Sequence, residues 1–344
     1  MNSKFLKKIF VCGIFIGALV IATLIVGYNS FYGAAISKSQ QIFVTTDTKC
    51  EQLTEDITNS ISSKLKICAF NFYASHLNLK NRLKAGHYTI KEGMSAISIV
   101  RMLVLGEQAP INLVIGEART LPQLAGKISK QIMADSVAII DAMYNRDLRA
   151  ELGYKRDSLI AMFIPNTYQV YWTITPTKLL ERMKRESDTF WSESRKAKLA
   201  TMGMNSYQAM TLASIVYEET KNRGEMPKIA GVYINRLRKK MPLQACPTVK
   251  YALGDFSLTR ILHRHLQVDS PFNTYRNQGL PPAPICIPSV AAIDAVLNYQ
   301  QSCYLYFCAR PEFDGTHNFA KTLSEHNANS RKYNEALARL KKKK

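Results

Sequence analysis

An uncharged apolar run near the N-terminus constrains this chain more than any other stretch. Residues 9–26 (IFVCGIFIGALVIATLIV) carry no charge, and Thr23 is their only strongly polar member. With Tyr28, Phe31 and Tyr32 behind it, the run approaches the roughly 20 residues that a helix needs to span a bilayer. No second run of this length follows. The sequence therefore predicts one N-terminal transmembrane helix.

The residues around this run predict its orientation. Lys4, Lys7 and Lys8 precede it, so the positive-inside rule leaves the N-terminus cytoplasmic and exports the rest of the chain. A cleaved signal peptide is the alternative. However, the run exceeds the usual apolar length of about 7–15 residues, and no clear A-x-A cleavage site follows it. We expect an uncleaved, single-pass anchor with the rest of the chain exported.

The charge balance narrows the class of partner. Lys and Arg total 46 and Asp and Glu total 26, which gives a formal net charge of +20. Such a balance favours a polyanion, whether nucleic acid, an anionic membrane surface or an acidic polymer. Export disfavours nucleic acid, so no nucleic-acid partner is expected.

The cysteines leave disulfide pairing open. Seven are present and one, Cys12, lies in the apolar run. The other six would allow 15 pairings in an exported chain, and the sequence selects none. No His or Cys cluster has zinc-ligand spacing, so no metal site is expected.

The periodicity of the exported part predicts an α+β fold. After a cytoplasmic tail and transmembrane helix (1–28) and a small, polar stalk (29–40), we expect a small α+β unit over 41–110 and a larger, mainly helical domain with a few strands over 111–344. Strands are predicted at 41–46, 85–90 and 111–117. Helices are predicted at 47–62 (N-cap Asp47 or Thr48), 92–107 (N-cap Ser95, stop Gly106), 120–132, 135–144, 176–203 (one helix or a pair), 205–224 and 227–241.

Two adjacent carboxylates end the apolar part of helix 205–224. With Leu212 set at 0°, Glu219 falls at about 340°, inside the apolar stripe, and Glu218 at about 240°, on the polar side. A carboxyl on an apolar face should have a raised pKa, as a general acid requires. The alternative is a structural Glu paired with a buried Arg. Arg236 lies in the apolar stripe of the next helix, and its anion could be Glu219 or a substrate.

Six ordered blocks resemble a known family, the endolytic murein transglycosylases or YceG-like group, over roughly residues 40–338. The blocks are KAGHYTIKEGMSAISIVRMLVLGE (84–107), FIPNTYQVYW (163–172), LASIVYEET (212–220), VYINRLRKKMPLQACPTVKYALG (232–254), SPFNTYRNQGLPPAPICIPS (270–289) and GTHNFAKTLSEHN (315–327).

The resemblance implies a fold, an activity and a catalytic residue. The small unit would be LysM-like and the larger domain catalytic. The enzyme would cleave the β-1,4 bond between N-acetylmuramic acid and N-acetylglucosamine within glycan strands, leaving 1,6-anhydro-N-acetylmuramic acid ends. The Glu before Thr in the E-T pair, here Glu219, would be the catalytic acid. No cofactor or metal is implied. The expected partners are peptidoglycan strands, the inner membrane and, as a reasonable candidate, a peptidoglycan synthase.

The same resemblance indicates where the oxocarbenium-like transition state would find polar support. A structural hydrogen bond is the alternative for each residue. The substrate-binding candidates are Asn235, Arg236, Gln244, Asn273, Tyr275, His317, Glu325, His326 and Asn327.

The chain departs from the family pattern where carboxylates are expected. Ile160 and Ala161 replace part of L-E-G, and Asn166 replaces the aspartate of D-T-Y. Tyr217 replaces the first Glu of E-x-E-T, and Cys246 replaces the aspartate of Q-x-D-P-T. These changes put the substrate contacts in doubt more than the catalytic acid.

Two other functions stay open at this point. One is a non-catalytic peptidoglycan-binding scaffold of the cell-wall synthesis machinery. The other is a water-using muramidase, which needs a second carboxylate near Glu219. Glu225, Asp255 and Asp269 are the candidates for that second carboxylate.

Overall fold

The computed structural model describes residues 3–61, 63–258 and 260–342. These residues form fifteen α-helices, six strands and two short 3-10 helices, so the protein is mostly helical. The α-helices are α1 (Ser3–Tyr32), α2 (Cys50–Asn59), α3 (Lys64–His76), α4 (Leu79–Arg82), α5 (Ala96–Leu105), α6 (Leu121–Ser129), α7 (Ser136–Tyr144), α8 (Arg146–Leu152), α9 (Pro176–Phe190), α10 (Glu193–Met202), α11 (Ser206–Glu219), α12 (Met226–Arg238), α13 (Cys246–Leu253), α14 (Val290–Leu297) and α15 (Leu323–Lys342). The 3-10 helices are Leu159–Met162 and His263–Gln267.

The strands form three small sheets of two strands each. They are β1 (Gln40–Val44) with β2 (Gly86–Ile90), β3 (Pro110–Ile115) with β4 (Asn166–Tyr171), and β5 (Tyr306–Ala309) with β6 (His317–Ala320). The β1–β2 and β5–β6 pairs are antiparallel. The helical majority, the few strands and the long apolar N-terminal helix agree with the sequence prediction at this coarse level.

The chain divides into two compact units. Unit 1 comprises residues 1–112 and 169–174, and unit 2 comprises residues 113–168 and 175–344. Both β3 and β4 contribute residues to each unit. The domain boundaries drawn from the sequence stay predictions.

Unit 1 contains one antiparallel two-stranded sheet and one well-capped helix. The Ser95 side chain accepts the backbone N–H of Ser98 at the start of α5, and Gly106 ends the helix in the left-handed conformation, with φ 76°. Both signals were predicted, and glycine is favoured there because it has no side chain to clash. Tyr88 and Phe70 are fully buried in the core of this unit.

The segment expected to be a stalk is packed in unit 1. Residues 29–32 continue α1, and Ala35 and Ile36 are buried. Isolated bridges join Ala34 to Ser95 and Ile36 to Ile61. The small residues of this segment therefore allow close packing against the unit.

One helix start differs from the sequence prediction, and one alternative that the sequence left open is decided. α2 begins at Cys50 after Lys49, which makes no side-chain cap, because Thr48 instead turns back on Thr45 through a hydrogen bond of 2.8 Å. The long charged stretch is a pair of helices, α9 and α10, separated at Trp191. The Trp191 side chain is buried in the core of unit 2.

The core of unit 2 surrounds α11. Every residue of α11 from Ala209 to Val216 is buried, and α12 and α14 pack against it. A capping box fixes its first turn: Asn205 accepts the backbone N–H of Gln208, and the Gln208 side chain accepts that of Asn205. The helix axis that leads to Glu219 is therefore held at its start and along its length.

The end of α11 lies five residues before the predicted stop at Gly224. Thr220 is extended (φ −145°, ψ 143°), and its hydroxyl accepts the backbone N–H of Asn222 at 3.0 Å. The Asn222 side chain in turn accepts the N–H of Gly224 at 3.0 Å. These local side-chain bonds compete with the helix and end it at Glu219.

The capping box predicts a measurable loss of stability on substitution. Asn205→Ala should lower the free energy of unfolding by about 1 kcal/mol, because it leaves the N-terminal amides of α11 without a side-chain acceptor. Denaturant unfolding of the full chain in detergent measures the change. Ser192→Ala is the matched control, since Ser192 precedes α10 without a side-chain cap, and should shift stability by less than about 0.5 kcal/mol. Equal losses in both variants would contradict the role of the cap.

Candidate active site

Glu219 is the last residue of α11, and its carboxyl reaches a cavity in unit 2. Burial raises the pKa of Glu219, against a hydrogen bond from Tyr233 and the charges of His317 and Arg236, which lower it. A negative charge at the C-terminal end of a helix also meets an unfavourable dipole. The carboxyl is therefore placed to hold its proton at a higher pH than an ordinary glutamate.

Tyr233 is the residue in direct contact with this carboxyl. It lies on α12, and its hydroxyl donates a hydrogen bond of 2.8 Å to Glu219 Oε1. Burial and the neighbouring carboxylate raise the pKa of Tyr233 well above its usual value, so the hydroxyl keeps its proton. The bond fixes the orientation of the carboxyl whichever protonation state Glu219 adopts.

The cavity at Glu219 has a volume of about 400 Å³. Helices α11, α12 and α15, the chain at 243–246 and strands β5 and β6 contribute to it. Its lining residues are Glu219, Tyr233, Arg236, Leu243, Gln244, Cys246, Tyr275, Phe307, Cys308, Ala309, His317 and His326. Within the described residues, Glu219 is the only acidic side chain of this lining, so one carboxyl faces a mixed polar and apolar wall.

Arg236 is bound by carbonyl groups. Its Nε donates to the carbonyl of Leu305 at 2.6 Å, and its Nη1 donates to that of Leu243 at 2.8 Å. Among the described residues it makes no ion pair with Glu219, which removes the structural pairing left open by the sequence. Arg236 is only 8% exposed. A buried positive charge thus lines the cavity while the Glu219 carboxyl stays free of an ion pair.

His317 is held from behind by Glu225. The backbone N–H of His317 donates to Glu225 Oε1 at 2.9 Å, and its Nδ1 lies 2.9 Å from Oε2. Both side chains are largely buried. Glu225 is therefore engaged by His317 and does not line the cavity, whereas the imidazole does.

Gln244, Cys246 and Tyr275 form one wall. The Cys246 sulfur and the Tyr275 hydroxyl are hydrogen-bonded at 3.2 Å. Burial raises the pKa of both groups, so both remain neutral at physiological pH. Gln244 adopts a left-handed backbone conformation, with φ 51°, and its side chain accepts a hydrogen bond from Arg236 at 3.4 Å. The wall offers neutral hydrogen-bonding groups to a ligand.

His326 completes the cavity from α15. Its ring stacks on Tyr306 with a centroid distance of 5.3 Å, and its buried Nδ1 has no protein partner among the described residues. Burial, followed by the charge of Arg236, lowers the pKa of His326. The imidazole is therefore neutral at neutral pH.

Four sequence candidates do not line the cavity. Asn235 donates to the carbonyls of Ser302 and Tyr304 and lines a separate cavity. The fully buried Asn273 holds a loop through two carbonyls at 2.8 Å.

The other two lie near the start of α15. Glu325 accepts the backbone N–H of Lys321 at 2.8 Å, in a capping arrangement with Thr322. Asn327 is exposed. Six of the ten candidates thus meet in one place: Glu219, Arg236, Gln244, Tyr275, His317 and His326.

Glu218 points away from this cavity. It forms an ion pair of 3.0 Å with Arg119 and lines a different, smaller cavity. The sequence distinguished the two carboxyls by their helical positions, and the structure places them on separate sides of α11. The other second-carboxylate candidates, Asp255 and Asp269, are absent from the lining of the Glu219 cavity within the described residues.

Sequence reasoning missed Tyr233 as a site residue. An apolar pattern counts the ring of Tyr233 as one of its members and does not register the hydroxyl. Tyr233 and Arg236 are three residues apart on α12, so the two polar groups share a face, and this spacing is the signal that could have revealed the site. Phe307 and Cys308 carried no signal, because their positions depend on the pairing of β5 with β6. No cluster of His, Cys, Asp or Glu that could hold a metal ion occurs in the described residues.

Comparison with known sequences assigns the chain to a family. A sequence model of the YceG-like family matches residues 42–332. The chain belongs to the YceG-like family. Within it, the endolytic murein transglycosylase of Bacillus subtilis (strain 168) is 30% identical over 289 residues, 77% of each protein. That of Streptococcus pneumoniae (strain R6) is 30% identical over 293 residues, 76% of this chain and 52% of that longer protein.

A solved structure of the YceG-like family resembles this fold. A crystal structure at 2.6 Å of a yceG-like protein from Listeria monocytogenes shares 28% identity with the chain at a TM-score of 0.57. The match covers 85% of this chain and 98% of the Listeria chain. The family model spans the residues that line the Glu219 cavity, and the fold match covers most of the chain.

Removing the Tyr233 hydroxyl should change the pH dependence of activity. Its hydrogen bond lowers the pKa of Glu219, so Tyr233→Phe should raise that pKa. A general acid acts only when protonated, so the decline of activity at high pH should move to higher pH. Maximal activity should fall by about ten- to a hundredfold, since one hydrogen bond to a group that becomes charged is lost.

Full pH–rate profiles of the detergent-solubilised chain measure this shift. Tyr299→Phe is the matched control, because the Tyr299 hydroxyl bonds Arg238 at a separate cavity, and it should leave the profile in place. A Tyr233→Phe profile that coincides with the wild-type profile would contradict the contact.

The raised pKa of Glu219 also predicts a dependence of stability on pH. An acid with a higher pKa when folded is protonated in both states below its unfolded pKa of about 4.3. Between the unfolded pKa and the folded pKa, Glu219 is ionised in the unfolded chain but still protonated in the folded chain. Ionisation therefore favours the unfolded state, and stability falls as the pH rises. Glu219→Gln removes this loss, and its amide oxygen can still accept from Tyr233.

Thermal unfolding of both proteins between pH 4 and 8 tests this prediction. The stability of the variant relative to wild type should increase with pH across this range. A difference that stays constant, or that decreases with pH, would show that burial does not raise the pKa of Glu219.

Proposed function

We propose that this protein is a lytic transglycosylase that cleaves the β-1,4 bond between N-acetylmuramic acid and N-acetylglucosamine within peptidoglycan strands and leaves 1,6-anhydro-N-acetylmuramic acid ends. The observation that carries the proposal is a single partly buried carboxyl with a raised pKa, Glu219, in a cavity without a second acid among its described lining residues. The names of the relatives, endolytic murein transglycosylases, support the same reaction.

The first step needs a proton donor. Protonated Glu219 gives its proton to the glycosidic oxygen as the bond to C1 of the muramic acid breaks. Its raised pKa keeps the proton available, and the Tyr233 hydroxyl at 2.8 Å holds the carboxyl in position. The sugar then carries oxocarbenium-like positive charge, which the new carboxylate stabilises across the cavity.

The second step returns the proton to Glu219. The C6 hydroxyl of the same muramic acid attacks C1, and its proton passes to the Glu219 carboxylate. The new C6–O–C1 bond closes the anhydro ring, and the enzyme regains its starting state. No water is consumed, and neither a cofactor nor a metal takes part in this scheme.

The neutral wall of the cavity suits a carbohydrate. Gln244, Tyr275 and the neutral imidazole of His326 offer hydrogen bonds to sugar hydroxyl and acetamide groups, while Phe307 presents an aromatic ring. Arg236 and His317 add donors toward the acidic lactyl and peptide groups of peptidoglycan. We propose that these lining residues bind the glycan, whereas Asn235, Asn273 and Glu325 support the surrounding backbone.

The lack of a second acid in the described lining argues against a hydrolase. Glycosidases that use water need two carboxyl groups, about 5–9.5 Å apart. Glu225 is occupied by the backbone and ring of His317. Glu219 is therefore the proposed acid and, after it has given up its proton, the proposed base.

The position in the cell is part of the same proposal. Residues Phe10–Tyr32 of α1 form a candidate span with a mean hydropathy of 2.7, and none of that window is buried in the protein. We propose that α1 is an uncleaved inner-membrane anchor, that unit 1 contains the LysM-like subdomain and that the Glu219 cavity acts in the periplasm on newly made strands. A peptidoglycan synthase, which makes such strands, is the proposed partner, and termination of strand elongation is the proposed role.

Replacement of Glu219 tests the reaction. Glu219→Gln in the full chain should reduce cleavage of intact peptidoglycan by at least about 10²–10⁴-fold, since the proton donor is lost. Mass spectrometry of the released sugars should find anhydro ends, one water lighter than hydrolysed ends, with wild type only. Glu218→Gln is the adjacent control and should retain activity, because Glu218 faces Arg119.

Each other outcome has a defined meaning. Reducing ends in place of anhydro ends would identify a hydrolase with a second carboxyl. Full activity of a folded Glu219→Gln protein would refute the assignment of the acid. A folded wild-type protein that binds glycan without cleaving it would be the peptidoglycan-binding scaffold.

A further inference from the structure

An apolar stripe on α3 is exposed although the helix packs in unit 1. Leu65 is 56% exposed and Phe72 is 54% exposed, and the Cys68 side chain between them is also exposed. Their spacing of three and four residues puts all three on one face of the helix. Ala69 and Tyr73 on an adjacent face are buried in the core, so α3 is apolar on more of its surface than its own unit covers.

This stripe adjoins the end of the candidate membrane span. The ring of Phe31, in the last turn of α1, makes edge contacts with Phe72 at 5.8 Å and Tyr73 at 5.7 Å. The Lys66 ammonium donates to the carbonyl of Ala34, just beyond the same helix. The exposed face of α3 is therefore continuous with the end of α1 within unit 1.

The last turn of α1 has the composition of a membrane interface. Tyr28 and Tyr32 are exposed and contact each other at 5.2 Å, and aromatic residues collect where hydrocarbon meets headgroups. A residue in contact with Phe31 lies at about the same depth. The exposed Lys64 beside the stripe suits the anionic headgroups of a bilayer surface.

We propose that the face of α3 formed by Leu65, Cys68 and Phe72 lies in the headgroup region of the lipid bilayer, as a second membrane contact beside α1. The contact rests on the proposed membrane anchor and goes beyond it. It gives unit 1 two points of attachment in place of one, because α3 and α1 both touch the same surface. Unit 1 then keeps a fixed orientation to the membrane.

Tryptophan placed on α3 tests this contact in the full chain. Three variants are reconstituted in vesicles of phosphatidylethanolamine and phosphatidylglycerol: Leu65→Trp, Phe72→Trp and the matched control Asn71→Trp. The lipids carry either no bromine or bromine on the shallow acyl carbons, where it quenches the fluorescence of a nearby tryptophan. Asn71 is exposed but lies about 100° around the helix from Phe72. Wild-type protein supplies the background from its two native tryptophans, Trp172 and Trp191.

The proposal expects bromine to quench the tryptophans at 65 and 72 above the wild-type background, and not the tryptophan at 71. Interfacial helices bury their apolar face about 5–10 Å into the headgroup and acyl boundary, within reach of shallow bromines. Leu65 makes no aromatic contact with Phe31, so its variant remains informative if Phe72→Trp disturbs packing.

Three results would overturn the contact, and each is distinguishable. Intact protein that floats with the vesicles but shows no quenching at 65 and 72 refutes the α3 contact alone. Oxidative crosslinking through Cys68 between two chains, without quenching, identifies a second copy as the occupant. An intact mass lacking α1 refutes the anchor and the contact together. Glycan cleavage enters none of these readouts, so the proposed reaction stands or fails separately.

Discussion

The partial burial of one carboxyl at the end of α11 is the constraint on which the rest of the site depends. Glu219 is partly shielded from water, lies at the unfavourable end of a helix dipole and has no cation in direct contact among the described residues. Its one described hydrogen bond comes from Tyr233, a donor that stays protonated. The surroundings therefore favour the neutral acid while still supporting the carboxylate that forms after proton transfer.

Arg236 shows how a positive charge can be kept near such an acid without neutralising it. An Arg in contact with Glu219 would lower the pKa of the carboxyl and remove the proton needed at neutral pH. Here the carbonyls of Leu243 and Leu305 bind the guanidinium and also tie α12 to the chain on either side of the cavity. Arg236 thus stabilises the cavity wall. Its charge, which is not in contact with Glu219, lowers the pKa of that carboxyl only moderately.

Helical periodicity predicts the local features of a site, but it does not predict contacts between segments that are distant in the sequence. The angular positions of Glu218 and Glu219 on one helix were enough to separate them, and Ser95 and Gly106 marked both ends of α5 because capping is local. The partner of Arg236 could not be read this way, since the carbonyl of Leu305 lies 69 residues away. Tyr233 was hidden for another reason: an amphipathic pattern counts its ring as apolar and does not register its hydroxyl. The early stop of α11 depended on side-chain turns at Thr220 and Asn222 that compete with a helix of good propensity.

At two positions where the family resemblance leads us to expect carboxylates, this chain has groups that hydrogen-bond without charge. The Tyr217 hydroxyl donates to Glu117 at 3.2 Å, and Cys246 bonds Tyr275 in the wall of the cavity. An aspartate at position 246 would place a second negative charge beside the cavity and raise the pKa of Glu219 further by repulsion. The neutral thiol removes that repulsion, so in this chain burial, followed by the charge of Glu218, raises the pKa of Glu219. The acid therefore depends on how well the cavity excludes water around α11, and the packing of α12 and α14 against that helix becomes part of the chemistry.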